Sequence, residues 1–368
     1  MHVSCDTCER KAQFTVSNWR CHCGYAWEPV LPLRFDADMI DSAKQSLWRY
    51  GKLLGIDVQE PAYDLGGGWT PLVKTELSGR SVYLKLEYLS LSGSFKDRGV
   101  STMINQLSHM GITQVVEDSS GNAGASLAAY AARYNIKAQI FVPSYASRAK
   151  LHQIEVYGAK IEKIPGPRSE AGKAAIKAIS PTKAYASHAY DPAYLAGQVT
   201  AAYELWEQLG RKCPDWVLCP VGQGGQFIGY WMGFKLLQLS ELIDRLPRMV
   251  AIQSYAVDPV YQAWIKGLVD VPDVSVKGSS IAEGVMIQKP VRGKRLLQAL
   301  KETNGIVLTI SDDDLINAQK AAAHKGFYIE PTSALVVAGL YKMNSTISSE
   351  QSCVLSITGN GLKGAPRY

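Results

Sequence analysis

The stretch 92-SGSFKDRG-99 sets a lysine, an aspartate and an arginine side by side at positions 96 to 98. An apolar, strand-like run, 82-VYLKLEYL-89, precedes it. Beyond it Val100, Met103, Ile104, Leu107 and Met110 recur at helical spacing, which predicts a helix starting near Ser94. Ser94 and Asp97 suit a first turn, whereas the charge of Lys96 faces the positive end of the helix macrodipole. Structurally, Lys96 would be a surface lysine in a first turn. Chemically, the same field disfavours the ammonium form and supplies the neutral amine that imine formation needs.

Three other stretches carry comparable signals. In 119-SSGNAGAS-126 small residues follow the strand candidate 115-VVED-118 and open a helix, so free N–H groups can meet a carboxylate or phosphate. The structural alternative is a Ser/Asn cap with small residues packing helix on strand. In 222-GQGGQ-226 a glycine-rich turn again joins a strand to a helix, the arrangement that cradles phosphates, although it is neither a Walker A nor a GxGxxG pattern. A tight turn is the plain alternative, but three glycines in four residues favour close approach of a ligand. In 358-TGNGLKG-364 a threonine follows the last strand, facing the usual ligand crevice of an open α/β sheet or merely a C-terminal turn. One amine, two anion cradles and a hydroxyl at carboxyl ends of strands are together what pyridoxal phosphate requires.

The elements that position these groups alternate. Strand candidates are 115–118, 138–143, 160–165, 216–221, 249–254, 306–311 and 353–358; helices are expected near 123–134, 146–157, 168–179, 192–209, 226–239, 312–325 and 331–344. The apolar runs are continuous, as in parallel strands covered on both faces. The expected fold is α/β: two open, twisted, mostly parallel domains with the cofactor in the cleft, plus a small N-terminal Cys-rich module. The expected division is 1–35 for that module, 36–98 with 200–368 for the large domain, and 99–199 for the small one.

The chain has 368 residues, 46% hydrophobic and 20% charged, with a net charge of +6. Its basic residues form no block, which argues against a nucleic-acid footprint, and no apolar run reaches membrane-spanning length. Without a signal-peptide core at the start, a cytoplasmic protein is expected. Seven cysteines, an odd number, argue against a disulfide framework; Cys219 and Cys353 sit in apolar strand-like runs where inert buried thiols are expected.

These segments resemble threonine synthase, a fold-type II pyridoxal-phosphate enzyme of the tryptophan synthase β superfamily. The resemblance is carried in family order by 85-KLEYLSLSGSFKDRG-99, 119-SSGNAGASLAAYAARY-134, 220-PVGQGGQFIGYWMGF-234, 281-IAEGVMIQKP-290, 326-GFYIEPTSA-334 and 358-TGNGLK-363. It implies that Lys96 forms the Schiff base with the cofactor and then moves the substrate's protons as the free amine. Asn122 would hydrogen-bond the cofactor's 3′ oxygen, and Ser119, Ser120, Gly121, Asn122 and Ala123 would hold the substrate carboxylate. Gly222, Gln223, Gly224, Gly225 and Gln226 would bind the cofactor phosphate, and Thr358 would meet the pyridine nitrogen. The implied reaction expels phosphate from O-phosphohomoserine by γ-elimination and adds water at the β-carbon to give threonine. A small, phosphorylated or otherwise activated amino acid is the expected partner; a homodimer also fits the family.

The sequence departs from the family where the substrate is recognised. The usual Asn-Pro…Arg…Gly-Gln-Lys-Thr segment reads 191-DPAYLAGQVT-200, with Tyr194 or Leu195 in place of the arginine and Val199 in place of the lysine. The run before the lysine reads 90-SLSG-93, and Gln223 and Gln226 replace asparagines. Arg148 and Lys150, in 143-PSYASRAK-150, are the cations left to hold an anion. One account is drift among threonine synthases; the other is β-replacement or β-elimination on a serine or phosphoserine derivative, as in cysteate synthase-like or dehydratase-like enzymes. A scaffold protein that has lost catalysis would not need Lys96, Asn122 and Thr358 together.

At the amino terminus, Cys5-x2-Cys8 and Cys21-x-Cys23 flank twelve residues. Four thiolates so spaced can close a tetrahedral structural zinc site; four free thiols are the alternative, and His22 is a further candidate ligand.

Overall fold

The computed structural model describes residues 1–146 and 148–363, apart from the side chains of residues 149 and 150. The anion-holding role expected of Lys150 falls outside the described residues. Tertiary contacts divide the described chain into one compact unit of residues 1–69 and 90–198 and another of residues 70–89 and 199–363. The sequence reading puts all of 36–98 with the larger domain, but only 70–89 of that stretch joins it. Leu47, Trp48, Leu54 and Ile56 pack instead with the N-terminal residues Val3, Phe14 and Trp27. The helix at 96 buries its apolar row in the first unit's core.

In the first unit a parallel sheet runs in the order Lys160–Ile164, Lys137–Pro143, Gln114–Glu117, Lys183–Tyr185. The last of these strands is only three residues long and has no apolar run to announce it. Helix Lys96–His109 begins two residues later than the spacing suggests, yet the expected row holds: Val100, Met103, Ile104 and Leu107 are buried with Leu127, Tyr130 and Ile140. Burying each such side chain contributes about 1.5–3 kcal/mol. Three short antiparallel strands, Lys11–Gln13, His2–Ser4 and Glu28–Pro29, build the N-terminal module.

The second unit holds a six-stranded sheet ordered Ile306–Ile310, Arg248–Ser254, Trp216–Pro220, Cys353–Ser356, Arg80–Lys85, Leu72–Leu77. All neighbours are parallel except the edge pair Leu72–Leu77 and Arg80–Lys85, a hairpin closed by Ser78 and Gly79, both at positive φ. Helices Gly225–Leu239 and Pro331–Lys342 are buried along most of their length, as continuously apolar sequences must be. Helices Pro259–Ile265 and Gly293–Glu302 lie in stretches left unassigned by the sequence pattern. Cys219 and Cys353 are fully buried, and burial pushes Cys353 up to about 12, as inert thiols require. Among the described residues no helix is long and apolar enough to cross a membrane.

A charged pair lies buried in this second unit. Lys85 Nζ donates to the Thr70 carbonyl at 2.5 Å, to Gln208 Oε1 at 2.8 Å and to Glu204, with both charged side chains fully buried. Glu204 also accepts from the Thr70 N–H at 2.7 Å. All three ammonium protons thus have acceptors, which makes so deep a charge tolerable. Replacing Lys85 by Met would strand the Glu204 carboxylate; a loss of about 3–5 kcal/mol in urea unfolding is expected, and Lys85→Met with Glu204→Gln should recover part of it.

Candidate active site

Lys96 opens its helix without help from a side-chain cap: Phe95 is the N-cap residue, and the Ser94 hydroxyl is buried without a hydrogen-bond partner. The amine of half-buried Lys96 lies 4.0 Å from the centre of the Phe95 ring. Asp97 holds this start in place. Its carboxylate is fully buried and accepts from Ser92 N at 2.7 Å, Ser92 Oγ at 2.5 Å and Ser126 Oγ at 2.6 Å. Three bonds to one carboxylate tie the loop before the lysine to the helix that follows the next strand. Gln198 Nε2 adds a bond to the Phe95 carbonyl at 3.3 Å.

The 119–126 stretch opens helix Asn122–Arg133 with Gly121 as N-cap and no capping side chain. The cap offered as the structural alternative is not made. A Cβ on Gly124 would lie 2.0 Å from the Ser119 carbonyl oxygen, so glycine lets the loop fold onto the helix. A Cβ on Gly121 would meet nothing within 4 Å, leaving the backbone of Ser119, Ser120, Gly121, Asn122 and Ala123 approachable at a helix N-terminus. Arg148, the described cation of the neighbouring stretch, is exposed at the start of helix Arg148–Val156.

In the second unit the 222–226 turn leads from strand Trp216–Pro220 into helix Gly225–Leu239. Gly224 is its N-cap at φ +80°, and a Cβ there would also lie 2.5 Å from Leu296. Gly222 lies so close under segment 284–287 that a Cβ would fall 2.9 Å from the Gly284 oxygen. Gln223 is occupied structurally, its Oε1 accepting from Val291 N at 3.0 Å. Gln226 is different: the side chain is 2% exposed, and neither its amide nitrogen nor its amide oxygen has a hydrogen-bond partner. Its Nε2–H, buried at an uncapped helix N-terminus, is a donor that a bound anion would satisfy.

Thr358 follows strand Cys353–Ser356 and is buried. Its Oγ1 lies 3.0 Å from Ser333 Oγ and donates to Glu330 Oε1 at 3.3 Å, while Ser333 Oγ accepts from Gly359 N at 2.8 Å. Glu330 and Ser333, with Asp97 and Ser126, are neighbours the sequence reading did not assign. Their signal was present, since 326-GFYIEPTSA-334 stands among the motif segments, but nothing in its spacing marks a partner for Thr358.

The segment 191–200 is structural on its inner side. Asp191 Oδ1 accepts from Ala193 N at 2.8 Å and Tyr194 N at 3.2 Å, and so caps helix Pro192–Gln208. Tyr194 is buried with its ring against Gly99, where a Cβ would come within 2.4 Å, and Val199 is also buried. Neither position brings a charge.

At the amino terminus, Cys5, Cys8, Cys21 and Cys23 converge, with all ligand atoms within 4.8 Å of one another. Cys5 and Cys23 Sγ are 3.5 Å apart, and Cys8 and Cys21 Sγ 3.4 Å. His22 Nδ1 lies 3.4 Å from Cys21 Sγ. The Tyr25 backbone N–H brings Cys23 down to about 7, whereas burial raises Cys5 to about 12.

Parallel α/β scaffolding, a half-buried lysine at a helix start and glycine turns at uncapped helix N-termini are features that an enzyme with a phosphate-bearing, amine-linked cofactor uses. The chain belongs to the pyridoxal-phosphate dependent enzyme family, which it matches over residues 63–359. It is 31% identical to a threonine synthase of Methanocaldococcus jannaschii over 98% of this chain and 92% of that one. To a threonine synthase of Synechocystis it is 33% identical, over 85% and 82% of the two chains. Among solved structures, a threonine deaminase of T.th. superposes with a TM-score of 0.70 at 26% identity, covering 81% of this chain and 94% of the other.

Asp97→Ala would leave one buried N–H and two hydroxyls without their acceptor. At roughly 1–3 kcal/mol per stranded group, a loss of several kcal/mol in urea unfolding is expected, with faster amide exchange at 92–96.

Proposed function

We propose that the protein is a threonine synthase-type enzyme that releases phosphate from O-phosphohomoserine and adds water to form threonine. The observation that carries this reading is the likeness to threonine synthases across nearly the whole chain. The residues present fit pyridoxal phosphate. The partnerless amide of Gln226 and the backbone N–H groups of Gly222, Gln223, Gly224 and Gly225 would hold its phosphate. Lys96 would hold it covalently through Nζ, Asn122 would meet its 3′ oxygen and Thr358 its ring nitrogen. When bound there, the cofactor supplies a sink for the electron pair left at the substrate's α-carbon.

The chain's own residues do the rest. Backbone groups of 119–123 orient the substrate through its carboxylate, which aims the α-proton at the Lys96 amine. Lys96 then moves protons between carbons as general base and acid. Arg148 and Lys150 are the cations proposed to meet the leaving phosphate.

A second reading rests on buried, uncharged Tyr194 and Val199. Without cations there, β-elimination or β-replacement on a serine or phosphoserine derivative becomes the alternative. A substrate panel separates the two. The first reading expects phosphate release and threonine from O-phosphohomoserine, a yellow holoenzyme, and a colourless Lys96→Ala variant with activity reduced by roughly 10²–10⁴-fold or more. Turnover of O-phosphoserine with none of O-phosphohomoserine would establish the second reading instead.

We also propose that the four N-terminal thiolates hold structural zinc, supported by their convergence within 4.8 Å. Elemental analysis of tag-free protein should find about one zinc per chain, falling in Cys8→Ser, since four thiolates make a closed tetrahedral site; a ratio near zero would mean free thiols.

A further inference from the structure

Two titratable side chains near Lys96 have no part in the reaction as described so far. Glu117 ends strand Gln114–Glu117, and His188 follows the adjacent strand Lys183–Tyr185, with Val116 and Tyr185 in register. Both therefore stand at carboxyl ends of parallel strands, and Glu117 is two residues before the 119–123 loop. His188 Nδ1 lies 2.8 Å from Glu117 Oε1, with side chains 10% and 1% exposed. The Glu117 carboxylate also receives the backbone N–H of His188. The imidazole meets the Tyr194 ring edge-on at 6.1 Å, and Tyr194 rests on Gly99, three residues beyond Lys96 on its helix.

The groups around the pair favour a shared proton. Burial, then the charge of Asp118, pushes the Glu117 carboxyl well above its ordinary range, against the pull of His188 N–H, Arg168 and Lys96. Tyr185 donates to Asp118 Oδ1 at 2.8 Å. When Glu117 is ionised, its Oε1 is the acceptor for Nδ1–H at 2.8 Å. With Nδ1–H so engaged, Nε2 alternates between an N–H donor and a bare lone pair. Only the donor form can meet an oxyanion, so anion binding must take up a proton there.

We propose that His188, oriented by Glu117, is a further catalytic residue that receives and protonates the departing oxyanion, in place of the cations missing at 194 and 199. This rests on the elimination chemistry proposed above. As the carbon–oxygen bond breaks, its electron pair leaves with the oxygen, which takes the Nε2 proton. The proton lost from carbon has gone to the Lys96 amine, and exchange with water restores both groups. Glu117 is a positioning residue: it fixes the tautomer and touches no substrate.

The test uses holoenzyme of the wild type, His188→Asn and Glu117→Gln, each checked for unchanged cofactor absorbance and Tm. Sulfate, whose charge is constant over about pH 6 to 8, serves as the anion probe. Its Kd in the wild type should tighten by up to about tenfold per unit as pH falls, with proton uptake in calorimetry, and this slope should vanish in His188→Asn. In Glu117→Gln the slope should persist but move to lower pH, because the imidazole loses its carboxylate partner. Kinetically, His188→Asn should slow loss of phosphate by about 10²-fold or more, yet leave chloride loss from β-chloroalanine within a few fold, since chloride needs no proton. Wild-type phosphate release and an unchanged sulfate slope in His188→Asn would overturn the proposal. A wild type that eliminates from no substrate would instead sink the functional reading, while the sulfate slope would still decide whether His188 meets the anion.

Discussion

Within the first unit, the placement of Lys96 depends on one buried carboxylate. Asp97 accepts three hydrogen bonds, two from Ser92 and one from Ser126, and has no exposed surface. A neutral amide could not accept all three, and water does not reach the group to substitute. Ser92 lies in the turn before Lys96, and Ser126 lies in the first turns of the helix that begins at Asn122. Fixing those two segments to one point fixes the amine relative to the 119–123 loop. The residue beside the lysine is thus the strut on which the lysine's position rests.

The helix starts at Lys96, Asn122 and Gly225 are among those without side-chain caps. Helix Asp312–Ala323 shows the alternative, with Ser311 Oγ accepting from Asp314 N at 3.2 Å. An absent cap does not by itself mark a site, since Gly293–Glu302 is also uncapped. What distinguishes the three starts is a second feature at each: a lysine, an open glycine backbone, or a buried amide without a partner.

The altered 191–200 segment has a steric logic as well as an electrostatic one. Tyr194 fills the space over Gly99 and leans on His188, while Asp191 caps the helix that carries it. An arginine at 194 would need a partner for a buried guanidinium beside the lysine helix. His188, which meets the Tyr194 ring edge-on, is itself largely buried with a carboxylate partner, Glu117 Oε1, 2.8 Å from its Nδ1.

The sequence by itself determined the parallel α/β alternation and the four chemistry-bearing stretches. Continuous apolar runs, glycine turns and the row Val100, Met103, Ile104 and Leu107 are local signals, set by backbone sterics and side-chain periodicity. It did not reveal the three-residue strand Lys183–Tyr185, whose pairing with Gln114–Glu117 depends on a neighbour about seventy residues away. Nor did it reveal that residues 36–69 and 90–98 belong with the first unit. Only the tertiary structure decided which polar side chains meet: Asp97 with Ser126, Thr358 with Ser333 and Glu330, His188 with Glu117, and Lys85 with Glu204. Such pairs carry no period and no fixed spacing, because burial selects them after distant strands and helices have packed, and a buried charge persists only where that packing supplies its partner.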